Sequence, residues 1–279
     1  MKAGSHLFRK GGEDMQSEQL QIEKYIEDLK KSKNILLMTH QIIGYPDFAT
    51  NELAIECFYR HGVDLIELQI PFSDPVADGP LFVKSNQAVL EKGVKVTQCL
   101  EFVARMVKKY PVSFLIMTYY NILYQYGVQR FIDKCQQIGV QGTIVPDAPL
   151  DEAREYFDYS RQQGLAAVSI ATPYSFEQRL QEIASVGSGF IYYVPRKGVT
   201  GSKTNFADEV LAGIKSAKNI TGATIAVGFG IQGAEDVAKL IGTADIAIIG
   251  SKIQRVIESE GLSGLELFME AIAGVNGEE

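Results

Sequence analysis

No uninterrupted apolar run in this chain approaches the roughly 20 residues that cross a bilayer, so a transmembrane helix is not expected. The opening MKAGSHLFRKGGEDM also lacks the apolar core of a secretory signal. Residues 1–16 read as an expression leader or a variable extension, with one folded domain expected over 17–279. There is no run of Lys and Arg, and 27 basic residues against 34 acidic ones leave a formal charge of −7. That balance is unsuited to a nucleic-acid backbone, so neither nucleic acid nor a membrane is an expected partner. Cysteine is scarce: Cys57, Cys99 and Cys135 are odd in number, far apart and without a C-x-x-C pair. This argues for thiols used as small buried hydrophobes in a reducing, cytoplasmic setting, against disulfides or zinc. His6, His40 and His61 are too scattered to suggest a metal site. No Pro/Gly/Ser-rich linker divides the sequence, and at 46% hydrophobic it has ample material for a core.

What the chain does have is alternation. Short, β-branched apolar runs occur at 34–39, 63–70, 112–118, 142–146, 165–171, 189–194, 224–228 and 244–250. Continuous apolar runs of this length suit parallel strands covered on both faces. Between them lie segments of helical period with polar outer faces, at 51–60, 97–109, 128–138, 151–163, 176–186, 208–217, 234–241 and 253–260. Eight strand–helix units with right-handed crossovers close into a (β/α)8 barrel of roughly 250 residues. An eight-strand doubly wound sheet would show the same alternation. Two further amphipathic segments, at 20–31 and 265–273, would cap the barrel floor or pack outside it.

In a barrel the chemistry sits at the carboxyl ends of the strands. There the most informative stretch is IELQIPFSDPVADGP, residues 66–80. Glu67 is a carboxylate inside an apolar strand, where it must be paired, hydrogen-bonded or raised in pKa. Raised into the neutral range, it could both give and take a proton. Asp74 and Asp78 follow on a loop restrained by Pro71, Pro75 and Pro80. The spacing is equally compatible with an interior acid neutralised by a Lys or Arg and two turn-capping aspartates.

These residues resemble the signature of tryptophan synthase α subunits. The blocks MTYYN (117–121), IVPDAP (144–149), GFIYYV (189–194), GVTG (198–201) and VGFGI (227–231) are similar to family blocks in the same order. The resemblance covers about residues 20 to 275 and implies a TIM barrel with an extra N-terminal helix. It also implies a lyase that cleaves indole-3-glycerol phosphate by retro-aldol chemistry to indole and glyceraldehyde 3-phosphate. On that resemblance Glu67 is the general acid/base, and Asp78 stabilises charge at the indole N–H. Tyr192, Tyr119, Thr200 and Phe229 face the substrate, with Thr200 on a lid at 196–205. Phosphate falls to Gly201, Gly230, Gly250 and Ser251, where barrel loops and a helix N-terminus commonly hold an anion. Asp147 and Asn121 support the site from behind. The resemblance implies no metal or organic cofactor in this chain. It implies a pyridoxal-phosphate β subunit as partner in an α2β2 assembly, meeting a rim that includes Asp74, Pro75 and residues 121–125.

The match departs at four places. Gln69 stands where the family usually has Gly, and Leu-Phe-Val-Lys-Ser replaces the usual Thr-Ile-Gln type after Pro80. Tyr45 replaces a customary Asp, and Pro195 a typical Ser. Gln69 is long enough to crowd the pocket or to hydrogen-bond a catalytic carboxylate. It motivates an alternative, a diverged chain that binds and activates a β subunit but turns over poorly. A different phosphate-binding barrel enzyme and a stand-alone indole-releasing lyase are the other readings.

Overall fold

The computed structural model describes residues 19–195, 208–228 and 230–276. All eight apolar runs become strands: β1 (Leu36–Ile42), β2 (Leu65–Gln69), β3 (Ser113–Met117), β4 (Gly142–Ile144), β5 (Ala166–Ala171), β6 (Ile191–Tyr193), β7 (Ile225–Val227) and β8 (Ile246–Ile249). Each pairs in parallel with the next, and β8 returns to β1 through Leu36–Ile246 to Thr39–Ile249. That last pairing closes the barrel and removes the open-sheet alternative.

Around the strands run α2 (Phe48–Arg60), α3 (Pro80–Glu91), α4 (Val96–Lys109), α5 (Tyr120–Tyr126), α6 (Val128–Gln137), α7 (Arg154–Gln162), α8 (Glu177–Val186), α9 (Asp208–Thr221), α10 (Ala234–Ala238) and α11 (Ser251–Ala273). Two of these, α3 and α5, have no counterpart among the expected helices. The buried face of α3 is Phe82, Ser85, Asn86 and Val89, so polar residues interrupt its apolar period. The segments expected at 253–260 and 265–273 are the two arms of α11, bent at Gly261, whose φ of 67° is open to glycine without strain.

Strand alternation sorts the side chains into two cores. Odd and even positions send Leu37, Ile66, Ile116 and Tyr193 outward under the helices, and Leu36, Met38, Leu65, Leu115, Ile144, Val168, Ala226 and Ile248 into the barrel. Before β1, α1 (Gln21–Leu29) lays Ile22 and Ile26, both fully buried, on the lower end of that interior. Polar ties hold it there. Glu23 accepts the Gly189 N–H at 2.9 Å, and Lys30 pairs with Asp245 at 2.7 Å. The segment at 20–31 therefore caps the floor, while the far arm of α11 packs outside.

Asp245 is the anchor of this floor. Its carboxylate also meets Lys218 at 2.8 Å and accepts the Ile225 N–H at 2.9 Å. Burial alone would push its pKa up, but Lys218, Lys30 and the Ile225 N–H together hold it below the usual carboxylate value. A lowered folded-state pKa means stability that is present above the unfolded value and lost as pH falls through the folded one. Asp245→Ala is expected to cost about 2 kcal/mol in urea unfolding at neutral pH, since its two Lys partners can rehydrate. The deficit should shrink as both proteins are taken toward about pH 3.

Candidate active site

Past the apolar layers, the same alternation brings polar residues to the barrel mouth. Glu67 and Gln69 project inward from β2 and His40 from β1, where His40 and Glu67 are register partners. Glu67 is 3% exposed, and among the described residues its Oε2 has no hydrogen-bond partner. Among the described residues no ion pair involves it, so the structural alternative of an interior acid neutralised by Lys or Arg finds no support there. Burial, and secondarily the charge of Asp78, push its pKa up to about 8. A carboxyl in that state holds its proton at neutral pH and can part with it nearby.

Asp78 is buried too, yet its surroundings are opposite. The loop after β2 folds on itself through Asp78 N–H to Pro75 O at 2.9 Å, and Ala77 N–H donates to the Tyr119 hydroxyl at 3.2 Å. Phe72 stacks on Tyr119 with centroids 5.2 Å apart, and its N–H donates to Asn86 Oδ1 at 2.9 Å. The loop thereby delivers the Asp78 carboxylate to three donors. Gln69 Nε2 lies 2.7 Å from Oδ2, Asn86 Nδ2 3.3 Å from the same oxygen, and Tyr119 donates its hydroxyl. Burial raises the pKa to about 6, and these donors hold it from rising further. Two acids from one strand–loop unit thus sit in environments that separate them: burial favours the protonated form of Glu67, while its donors favour the ionised form of Asp78.

Tyr192 faces the barrel interior and Tyr193 the outer core, as alternation requires of neighbours. Burial first, then Glu67 and Asp78, push the Tyr192 phenol well above its ordinary range, so it is a neutral hydroxyl. The ring lies against Gly228: a Cβ there would come within 2.2 Å of the Tyr192 hydroxyl oxygen. Gly228 therefore makes room for the tyrosine as much as for any anion.

On the far side of the mouth, Gly250 is the N-cap of the 23-residue α11 and Ser251, nearly buried, its first residue. No side chain caps that end, which leaves first-turn N–H groups and the positive end of a helix dipole facing the mouth. Gly230 stands after β7 with a φ of 91°. Asp147 accepts the Tyr120 N–H at 2.8 Å, so it caps α5 and fixes the backbone next to Tyr119. Asn121 is exposed on α5, and no hydrogen bond joins it to either acid. Asp74 is at the exposed rim, but Pro75 is buried beneath it and Val76, 70% exposed, takes its place. Residues 121–125 are helical and present Tyr124 to solvent. Thr200, Gly201, Phe229, the lid at 196–205 and the leader at 1–16 lie outside the described residues.

Sequence reasoning missed two members of the site. Asn86 sits on the unexpected α3, and the signal that locates it is Pro80 opening a helix with Phe82, Ser85, Asn86 and Val89 on one face. His40 was weighed only as a metal ligand; it contacts Gln69 instead. Outside the barrel, Cys57, His61 and Glu266 do converge. There Arg60 already holds Glu266, and burial first, then the neighbouring Glu266, push the Cys57 thiol up to about 12, a poor thiolate ligand.

Comparison with known proteins places the chain in a family. The family model described as tryptophan synthase alpha chain matches residues 26–272. The tryptophan synthase alpha chain of Desulforapulum autotrophicum is 43% identical over 252 residues, covering 90% of this chain and 100% of that one. That of Methanocaldococcus jannaschii is 34% identical, covering 86% and 85%. Among solved structures, a chain of Mycobacterium tuberculosis tryptophan synthase superposes with a TM-score of 0.86 at 27% identity, covering 94% of this chain and 100% of that one. A chain of the Pyrococcus furiosus tryptophan synthase a2b2 complex gives 0.78 at 27% identity, covering 88% and 99%.

Proposed function

The chain belongs to the tryptophan synthase alpha chain family, a family of lyases, and from that premise we propose that it cleaves indole-3-glycerol phosphate with Glu67 and Asp78 as its catalytic pair. The observation that carries the proposal is the contrast between the two buried carboxyls: Glu67 with a bare Oε2, Asp78 with three donors.

The proton inventory closes on these two groups. Protonated Glu67 gives its proton to indole C3, which places positive charge on the ring nitrogen. Asp78, ionised and fixed, stabilises that charge in a site with little water. Glu67, now a carboxylate, takes the proton of the hydroxyl on the adjoining glycerol carbon. The C–C bond to indole C3 breaks, its electrons return to the ring to neutralise the nitrogen, and the glycerol carbon becomes the aldehyde of glyceraldehyde 3-phosphate. Glu67 ends as it began, so the cycle needs no outside acid or base. Tyr192 adds a neutral hydroxyl near the reacting carbons, and Gly250 with Ser251 would receive the phosphate at the start of α11. Gly201, Gly230, Thr200 and Phe229 complete the binding set on this reading.

The same reading gives the chain a β subunit as partner in an α2β2 assembly, with pyridoxal phosphate held by that partner. Asp74, Val76 and Tyr124 form the exposed part of the rim that would meet it. A chain that only activates a β subunit was motivated by Gln69. Here Gln69 donates to Asp78 rather than displacing it, which favours turnover.

Indole release with and without a β subunit tests the reaction, and its pH profile tests the assignment. Activity should form a bell, falling below about 6 as Asp78 gains a proton and above about 8 as Glu67 loses its own. Release that keeps rising through the basic limb would remove Glu67 as the acid.

A further inference from the structure

One buried polar connection in the mouth is not used by the proton inventory above. His40, 7% exposed, packs against the Phe82 ring of α3 with centroids 4.7 Å apart. Its Nε2 is 2.9 Å from Gln69 Oε1, and Gln69 Nε2 is 2.7 Å from Asp78 Oδ2. The direction of each hydrogen bond follows from the far end. An ionised carboxylate only accepts, so the amide turns its NH2 toward Asp78. Its oxygen then faces His40, and the imidazole must present Nε2–H. Among the described residues Nδ1 has no partner, which suits a neutral imidazole with its proton on Nε2. Burial, only partly offset by Gln69, pulls the imidazole down to about 4, so the neutral form persists across the working range.

Resting on the lyase reading for its effect on turnover, we propose that His40 is a positioning residue for Asp78, acting through Gln69. A free amide has two orientations of nearly equal shape, and the wrong one sets an oxygen against the carboxylate. The Nε2–H of His40 holds the amide oxygen and so stabilises the orientation that donates to Asp78, with Asn86 Oδ1, 3.4 Å from Gln69 Nε2, as a weaker hold on the same NH2. Asn86 cannot take over the task. Its Oδ1 accepts from Phe72 N–H at 2.9 Å and its Nδ2 donates to Phe82 O at 2.8 Å, leaving a 3.3 Å contact for Asp78. The titratable groups around Asp78 are Glu67 on β2, His40 on β1, Tyr192 on β6 and Tyr119 after β3, and among the described residues neither acid has a cationic partner. Hydrogen-bond donors, with Gln69 the closest of those measured, are thus what keeps Asp78 an anion.

The experiment follows the carboxyl of Asp78 by NMR titration of the whole chain without substrate, assigned against Asp78→Asn. It is paired with the pH dependence of kcat/KM for indole release. Gln69→Leu should raise the Asp78 midpoint by about one to two pH units, as loss of a hydrogen bond to a charged group implies. His40→Phe, which keeps a ring against Phe82, should shift it the same way by about half as much. His40→Gln, whose Nε2 can stand in for the imidazole Nε2–H, should restore it. The acid limb of kcat/KM should move with the midpoint in each case. Because His40 works through Gln69, the double variant should titrate like Gln69→Leu alone. An unmoved midpoint in Gln69→Leu or His40→Phe overturns the proposal, as does an additive shift in the double variant. Absence of indole release from the parent chain, with or without a β subunit, would defeat the lyase reading while the titration still decides the coupling.

Discussion

Glu67→Gln should abolish indole release, with a loss of about a thousandfold or more, because in the proposed mechanism one carboxyl carries the proton in both halves of the reaction. Gln matches the protonated acid in shape and polarity but transfers nothing, so substrate affinity should change by only a few fold. The substitution carries a second signature that a structural role would not produce. Glu67 has a folded-state pKa of about 8, raised from 4.5 by burial and by Asp78. A raised value means stability that is full below the unfolded pKa and is lost as pH rises through the folded one. The parent should therefore weaken toward alkaline pH while Glu67→Gln does not, and above about pH 8 the inactive variant should have the higher Tm. An active Glu67→Gln, or one with the parent's alkaline sensitivity, would remove Glu67 from the role assigned here.

Asp78→Asn is the companion. It keeps the side chain's size but removes the fixed anion, and its NH2 would confront the donors of Gln69, Asn86 and Tyr119. The expected loss in kcat is roughly a hundredfold to a thousandfold, the scale for removing one charge-stabilising group. KM should move far less, since in the proposed mechanism the charge that Asp78 stabilises develops only during C3 protonation. The charge of Asp78 also helps hold the Glu67 pKa up, so any residual activity should lose its basic limb at lower pH than the parent. Measuring kcat and the profile together separates this from a folding defect, which would lower amplitude without moving the limb.

Much of this architecture was legible from residues alone. The eight strands stand out because each is buried on both faces, which makes their sequences mostly apolar and leaves a polar letter within them conspicuous. Glu67 was legible for the same reason: of the two carboxylates in 63–70 it is the one in the middle of the run, between Ile66 and Leu68, while Asp64 stands at its start. Helix α3 was not, because it turns Ser85 toward Gln254 and Asn86 toward Asp78, and these buried polar residues blur the period by which helices are recognised. Helix α5 is seven residues long, too short for a period to emerge. The choice between Tyr192 and Tyr193 needed a register, since alternation says only that the two diverge. His40 shows the larger limit. Its partner is on another strand, 29 residues on, and adjacency across a barrel wall depends on a pairing that no local pattern encodes.

The floor built by α1 has a consequence for traffic. With Ile22 and Ile26 plugging one end, and layers of Leu, Ile and Val filling the shaft above them, the barrel formed by the described residues is a vessel closed at its floor. Whatever enters to react must leave past the same lip, and on the proposed cleavage two products would share one doorway. Their order of departure, and the destination of the aromatic one, then belong to whatever stands at that doorway rather than to the chemistry within.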